Sequence, residues 1–94
     1  MNNKTILITG ATSGLGLEAA KQLAKQGHEI ILLCRNKEKG EQAISEIKSF
    51  SENNKLHLYT ANLSSQKAVE QAAQNIKNDF SKLDVLLNNA GAVF

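Results

Sequence analysis

The chain has 94 residues, fewer than the roughly 150 of an ordinary domain, so we do not expect a two-domain enzyme within it. Hydrophobic residues make up 41% and charged residues 21%, a composition typical of a globular chain and not of a disordered or membrane-spanning one. The formal net charge is +2 with the basic residues scattered along the chain, so nothing indicates a nucleic-acid surface.

Two hydrophobic patterns alternate along the chain. Lys4–Thr9 is β-branched and apolar at its centre, which predicts a strand buried on both faces. Apolar positions then recur at helical spacing from Leu15, and Gly27 is placed to cap that helix. The same patterns predict, in chain order, a strand over residues 28–34, a helix over 37–53, a strand over 56–61, a helix from Ser64 or Ser65 to Phe80, and a strand over 83–88.

This β-α-β-α-β-α-β alternation predicts one α/β domain over residues 1–94, a doubly wound parallel sheet with helices on both faces. The third strand alternates partly, which favours a place near a sheet edge. Gly40 near the start of the second helix is a mild cost to helix stability.

Cys34, the one cysteine, lies in an apolar run and predicts a buried thiol in a reducing compartment. The N-terminal apolar run is too short for a signal sequence or a membrane span. We therefore expect a cytoplasmic protein without membrane partners.

A glycine-rich turn, Thr9–Gly16, joins the first strand to the first helix. Gly10 permits the tight turn, Gly14 lets a pyrophosphate approach the backbone, and Gly16 lets helix and strand pack closely. Free N–H groups and the positive end of the helix dipole favour an anion there. The alternative is that the glycines only form a turn.

Two other loop chemistries are excluded by counting along this turn. A P-loop needs Gly-Lys-Ser/Thr five residues after its first glycine, but that place holds Leu15-Gly16-Leu17. A nucleophile elbow reads G-x-S-x-G, and Ser13 stands one place too late for it.

Thr9–Gly16 matches T-G-x-x-x-G-x-G, and residues 88–91 read N-N-A-G, two motifs in which the chain resembles the short-chain dehydrogenase/reductase family. The resemblance implies a Rossmann-like fold with strand order 3-2-1-4 and an NAD(P) cofactor across the carboxyl ends of the strands. It also implies hydride transfer between nicotinamide and a carbonyl or alcohol. In the turn, the implied cofactor-binding residues are Gly10, Thr12, Ser13, Gly14, Leu15 and Gly16.

The end of the second strand favours NADP over NAD. An NAD site usually has a carboxylate there to bind the ribose 2′-OH, but this chain has Cys34-Arg35-Asn36. The Arg35 guanidinium offers forked donors and a full charge to a 2′-phosphate, and Ser13 and Asn36 could add donors. The alternative is an ordinary surface arginine.

Two further segments are implied to contact adenosine. The family commonly has Asp-Leu after the third strand, where this chain has Asn62-Leu63. The Asn62 oxygen can still accept from the adenine amino group, and the next N–H can reach a ring nitrogen. Asn62 as a turn or cap residue is the alternative. Backbone contacts to the ribose are implied for Asn89, Ala90 and Gly91, with bracing of the sheet by the asparagines as the other interpretation.

The family's catalytic serine and Tyr-x-x-x-Lys pair are absent from this sequence. The one tyrosine, Tyr59, has Leu63 four residues later, so it cannot form the motif. His28 and His57 share no metal-ligand spacing with Cys34, and we predict no metal site. The charges at the start of the second helix, Lys37, Glu38, Lys39 and Glu41, are interpreted as a solvated face.

The sequence therefore predicts the cofactor-binding portion of an NADP-dependent short-chain oxidoreductase, inactive by itself and continuing beyond Phe94. Its partners would be a small carbonyl or alcohol substrate and, for the intact protein, further copies of itself. The alternative is a nucleotide-binding or structural Rossmann module without turnover.

Overall fold

The computed structural model describes residues 3–12 and 14–88. All seven predicted elements are present in the predicted order. The strands are β1 (Thr5–Thr9), β2 (Glu29–Cys34), β3 (Leu56–Thr60) and β4 (Val85–Asn88). The helices are α1 (Gly14–Lys25), α2 (Lys37–Ser51) and α3 (Gln66–Asp79).

The four strands form a parallel sheet in the order β3-β2-β1-β4. This confirms the predicted α/β fold, the strand order and the edge position of β3. Thr9 of β1 pairs with Leu33 on one side and with Asn88 on the other. Because the pairing is parallel, the carboxyl ends of all four strands meet at one edge of the sheet.

The sheet is covered on both faces, as the alternating pattern predicted. One face packs α1 and α2 through Ala20, Ala24, Ala43 and Ile47 against β1 and β2, and Ile8, Ile30 and Leu32 at its centre are fully buried. The other face packs α3 through Ala72 and Ile76 against Leu7, Ile31 and Leu33. Both strands at the centre are therefore buried on both sides, which is why they are continuously apolar.

Local hydrogen bonds set the ends of the helices. Gly27, with φ 94°, ends α1 in a Schellman motif: its N–H donates to the Ala24 carbonyl at 2.9 Å, and that of His28 donates to Leu23 at 3.3 Å. Ser65 caps α3, because its Oγ accepts the Ala68 N–H at 3.2 Å.

Two predicted boundaries were wrong by two residues. The second helix ends at Ser51 and not at residue 53, because Glu52 turns into the left-handed region with φ 58°. The fourth strand begins at Val85 and not at Leu83.

Cys34 lies at the end of β2 and is 2% exposed, so the predicted buried thiol is confirmed. Its Sγ donates to the Asn36 carbonyl at 3.3 Å, and burial raises the pKa of the thiol. In the part of the chain that the structure describes, no helix combines the length and apolarity that crossing a membrane requires.

Gly40 is placed where α2 comes closest to the sheet. A Cβ at this position would lie 2.6 Å from Sγ of Cys34 and 2.7 Å from Cδ1 of Leu58. The sequence showed only the cost of a glycine in a helix, whereas the structure shows that the missing side chain lets α2 contact β2 and β3. The start of α2 is thereby held against the carboxyl ends of these strands.

We expect Gly40→Ala to lower the free energy of unfolding by about 1 kcal/mol. The substitution gains about 1 kcal/mol of helix propensity, but overpacking in a buried contact costs about 1–3 kcal/mol. Urea denaturation measures the difference, with Ser45→Ala at an exposed site of α2 as control. In a Cys34→Ala background, which removes the nearer clashing atom, the penalty should shrink. A stabilised Gly40→Ala protein would contradict the close contact.

Asp84 joins the beginning of β4 to the beginning of β1. Its carboxylate Oδ2 accepts the Thr5 N–H at 2.8 Å, and its own N–H donates to the Thr5 carbonyl at 2.9 Å. The hydrogen bond from Thr5, aided by the charges of Lys82 and Lys4, holds the pKa of Asp84 below its ordinary value of 3.8. The ionised carboxylate therefore stabilises the β1–β4 pair.

Because the pKa of Asp84 is lower in the folded chain, its contribution to stability is present above pH 3.8 and is lost as pH falls through the lower, folded value. Asp84→Asn keeps an oxygen acceptor and removes this titration. We expect urea midpoints measured below pH 5 to fall less steeply for Asp84→Asn than for the wild type. Glu41→Gln, at an exposed carboxyl, is the control. Parallel acid profiles for the wild type and Asp84→Asn would contradict the assignment.

Candidate functional site

The glycine-rich turn leaves β1 at the edge where the carboxyl ends of the strands meet. Gly10 has φ 67° and Gly14 has φ 64°, in the left-handed region where a side chain is strained. The Gly10 N–H donates to the Leu33 carbonyl at 2.9 Å. This bond continues the β1–β2 ladder by one residue, so the turn stays beside the end of β2.

The backbone of the turn is open to solvent at Gly14. A Cβ placed on Gly14 would meet no atom within 4 Å, so open space lies in front of the backbone there. Gly14 and Leu15 are exposed, with Leu15 at 88%, and the first turn of α1 contains no acidic residue. Gly16 is buried, as its predicted role in close packing requires. The residues present therefore fit an anion bound at the start of α1.

Arg35 and Asn36 follow β2 directly, beside this turn. Arg35 is exposed and forms no ion pair with any residue that the structure describes. Asn36 caps α2, since its Oδ1 accepts the Lys39 N–H at 3.0 Å. Oδ1 of Asn36 is therefore already hydrogen-bonded within α2, and Nδ2 is the side-chain group that remains for a ligand.

Asn62 and Leu63 follow β3 at the same edge, where the Ala61 N–H donates to the Cys34 carbonyl at 2.9 Å. The Asn62 Oδ1 accepts both the N–H and the hydroxyl of Ser64, at 3.1 and 2.7 Å. Its side chain thus has the turn role that was one of the two interpretations, and contact with adenine would have to use Nδ2. The Leu63 side chain packs against the α3 face of the sheet.

Four of the predicted cofactor-binding residues, Ser13, Asn89, Ala90 and Gly91, lie outside the described residues. Asn88 ends β4 and pairs with Thr9, so the N-N-A-G segment starts at the edge of the sheet that holds the turn. The structure therefore brings together the turn, Arg35, Asn62 and the beginning of this segment.

A cavity of about 230 Å³, not expected from the sequence, lies between the turn and α2. Its lining residues are Thr12, Leu17, Lys39, Gln42, Ala43 and Glu46. Four of the lining residues belong to α2, and they lie on one face of the helix because they are three, one and three positions apart: Lys39, Gln42, Ala43 and Glu46. This periodicity was visible in the sequence, but the position of that face opposite Thr12 was not.

The side chain of Tyr59 in β3 is hydrogen-bonded to α3. Its hydroxyl donates to Oδ2 of Asp79 at 2.5 Å, and partial burial, the hydrogen bond and the negative charge of Asp79 raise its pKa to about 12. This hydrogen bond joins β3 to the last residue of α3. The imidazole of His57 contacts Glu29, with Nε2 to Oε2 at 2.7 Å.

The model of the family described as short chain dehydrogenase matches residues 4–93. Among curated proteins, retinol dehydrogenase 12 of Mus musculus is 37% identical over 90 residues, which are 96% of this chain and 28% of that protein. The chain thus spans less than a third of the length of this relative.

Solved structures with either nicotinamide cofactor share the fold. An NAD⁺-bound xylitol dehydrogenase is 36% identical with a TM-score of 0.84, over 96% of this chain and 34% of that one. A chain of Shigella flexneri assigned to the short-chain dehydrogenases and complexed with NADP is 36% identical, with a TM-score of 0.85. The match covers 99% of this chain and 39% of that one.

Proposed function

The chain belongs to the short-chain dehydrogenase family, and on that premise we propose that it is the cofactor-binding portion of an NADP-dependent oxidoreductase. The members of this family are oxidoreductases that act on small molecules. The proposed reaction is hydride transfer between nicotinamide and a carbonyl or alcohol, in which the bound cofactor supplies or accepts the hydride. The observation that carries the choice of NADP is Arg35 at the end of β2.

The glycine-rich turn supports binding of the pyrophosphate. Gly14 leaves open space in front of its backbone, and the start of α1 presents N–H groups with no acidic side chain in its first turn. An anion placed there is stabilised by hydrogen bonds and by the helix dipole, an effect of about 0.3–1 kcal/mol at an exposed site. The turn serves any dinucleotide, so it does not distinguish NADP from NAD.

Charge at the end of β2 supports NADP. The two relatives that bind different cofactors align with this chain at TM-scores of 0.84 and 0.85, so the fold is common to both and does not select between them. Arg35 is exposed, carries no ion pair with the described residues and follows β2 where a carboxylate would bind the free 2′-OH. Its forked donors suit a phosphate monoester.

A cytoplasmic location and a homo-oligomer of the intact protein are part of this proposal. The buried, free thiol of Cys34 supports a reducing compartment. Cell fractionation and sedimentation of the intact protein test the two points separately.

We predict that the protein binds NADPH more tightly than NADH and that Arg35→Ala removes most of this preference. Loss of a charge-assisted hydrogen bond of about 1.5–3 kcal/mol corresponds to roughly a tenfold or greater weakening for NADPH. NADH affinity should be unchanged, because NADH lacks the 2′-phosphate. Fluorescence titration with both nucleotides gives the two dissociation constants.

Lys48→Ala, which removes one positive charge at the far end of α2, is the matched control and should leave both constants unchanged. Equal affinities of the wild type for NADPH and NADH would reject the NADP assignment. So would an Arg35→Ala protein that keeps the preference.

A further inference from the structure

The connection between β2 and α2 is short. The strand ends at Cys34 and the helix begins at Lys37, so Arg35 and Asn36 alone join them. Each residue of an extended chain spans at most about 3.6 Å. A shift of α2 relative to β2 therefore cannot be taken up within the connection without moving Arg35.

The end of β2 is hydrogen-bonded to its neighbours on both sides. The Leu33 carbonyl accepts the Gly10 N–H at 2.9 Å, and the Cys34 carbonyl accepts the Ala61 N–H at 2.9 Å. These bonds fix the strand side of the connection relative to the glycine-rich turn. The position of Arg35 then depends on where α2 begins.

The backbone carbonyl of Asn36 joins the helix to the buried thiol. Its oxygen accepts the Gly40 N–H at 2.9 Å from α2 and the Cys34 thiol at 3.3 Å from β2. Cys34 is 2% exposed, so the thiol lies beneath the first turn of the helix. One acceptor thus ties both ends of the connection together.

The side chain of Cys34 and the missing side chain of Gly40 are matched in size. A Cβ on Gly40 would lie 2.6 Å from Sγ, well inside the usual contact distance of about 3.5–4.0 Å. It would also lie 2.7 Å from Cδ1 of Leu58, but that atom is at the end of a flexible side chain and can rotate away. Sγ is bonded directly to the Cβ of a central strand residue, so the helix would have to move instead.

We propose that Cys34 and Gly40 are positioning residues for Arg35, and that their contact sets the preference of the protein between NADPH and NADH. Both residues are buried, so they act through Arg35 and do not bind the nucleotide themselves. A binding group works only when the residues behind it hold it in place. The inference rests on the proposed function, because Arg35 is the group that it positions. It goes beyond the expected loss of stability in Gly40→Ala, since a preference is a ratio of two affinities.

The test measures that ratio, the Kd for NADH divided by the Kd for NADPH, by fluorescence titration of the intact protein. We expect the ratio to fall about threefold in Gly40→Ala, less than the roughly tenfold fall expected when Arg35→Ala removes the guanidinium. The Kd for NADH should change little, because NADH has no 2′-phosphate for a displaced Arg35 to miss. A purely structural defect would weaken the binding of both nucleotides by the same factor.

Two further variants test the contact from the strand side. Cys34→Leu extends the side chain beyond the position of Sγ, and it should lower the ratio as Gly40→Ala does. Cys34→Ala removes Sγ and should recover most of the ratio when it is combined with Gly40→Ala. Circular dichroism shows whether each variant is folded, and if Gly40→Ala is not, Cys34→Leu and the double variant decide the question.

Ser45→Ala, at an exposed site of α2, is the control and should leave the ratio unchanged. An unchanged ratio in Gly40→Ala and Cys34→Leu would overturn the proposal, and so would equal weakening of both nucleotides or a double variant without recovery. Arg35→Ala separates this result from a failure of the proposed function. If Arg35→Ala removes the preference and the packing variants keep it, only the inference fails. If Arg35→Ala keeps the preference, the choice of NADP through Arg35 fails and the inference fails with it.

Discussion

The hydrogen bond from the Gly10 N–H to the Leu33 carbonyl is the contact on which the candidate site depends. At 2.9 Å it extends the parallel ladder of β1 and β2 beyond the last residue of β1. A positive φ at Gly10 permits both the bond and the turn. The backbone that we propose binds the pyrophosphate and the Arg35 side chain thus follow neighbouring strands at one edge of the sheet.

The start of α2 is the second fixed point of the site. Asn36 caps the helix and Gly40 removes the side chain that would push it off the sheet. A glycine at this position costs helix propensity but gains a close contact with β2 and β3. The glycine thus lowers the intrinsic stability of α2 and permits its close packing on Cys34 and Leu58. The same trade between propensity and packing explains why propensity alone misjudged this residue.

The fold of this chain does not by itself distinguish the two nicotinamide cofactors. Relatives bound to NAD⁺ and to NADP share the backbone of this chain to nearly the same degree. In our proposal the distinguishing group is Arg35, an exposed cation directly after β2, where an NAD site usually has a carboxylate.

The sequence by itself determined the seven elements, their order and the glycine-rich turn, because hydrophobic period, caps and glycines act over a few residues. The resemblance to a family added the strand order. Only the tertiary structure decided that Gly40 is a packing requirement, that the Asn62 oxygen is used by Ser64, and that Lys39 stands opposite Thr12. The physical reason is distance along the chain: Thr12 and Lys39 are 27 residues apart, and their contact with a common cavity depends on how α1 and α2 pack on one face of the sheet.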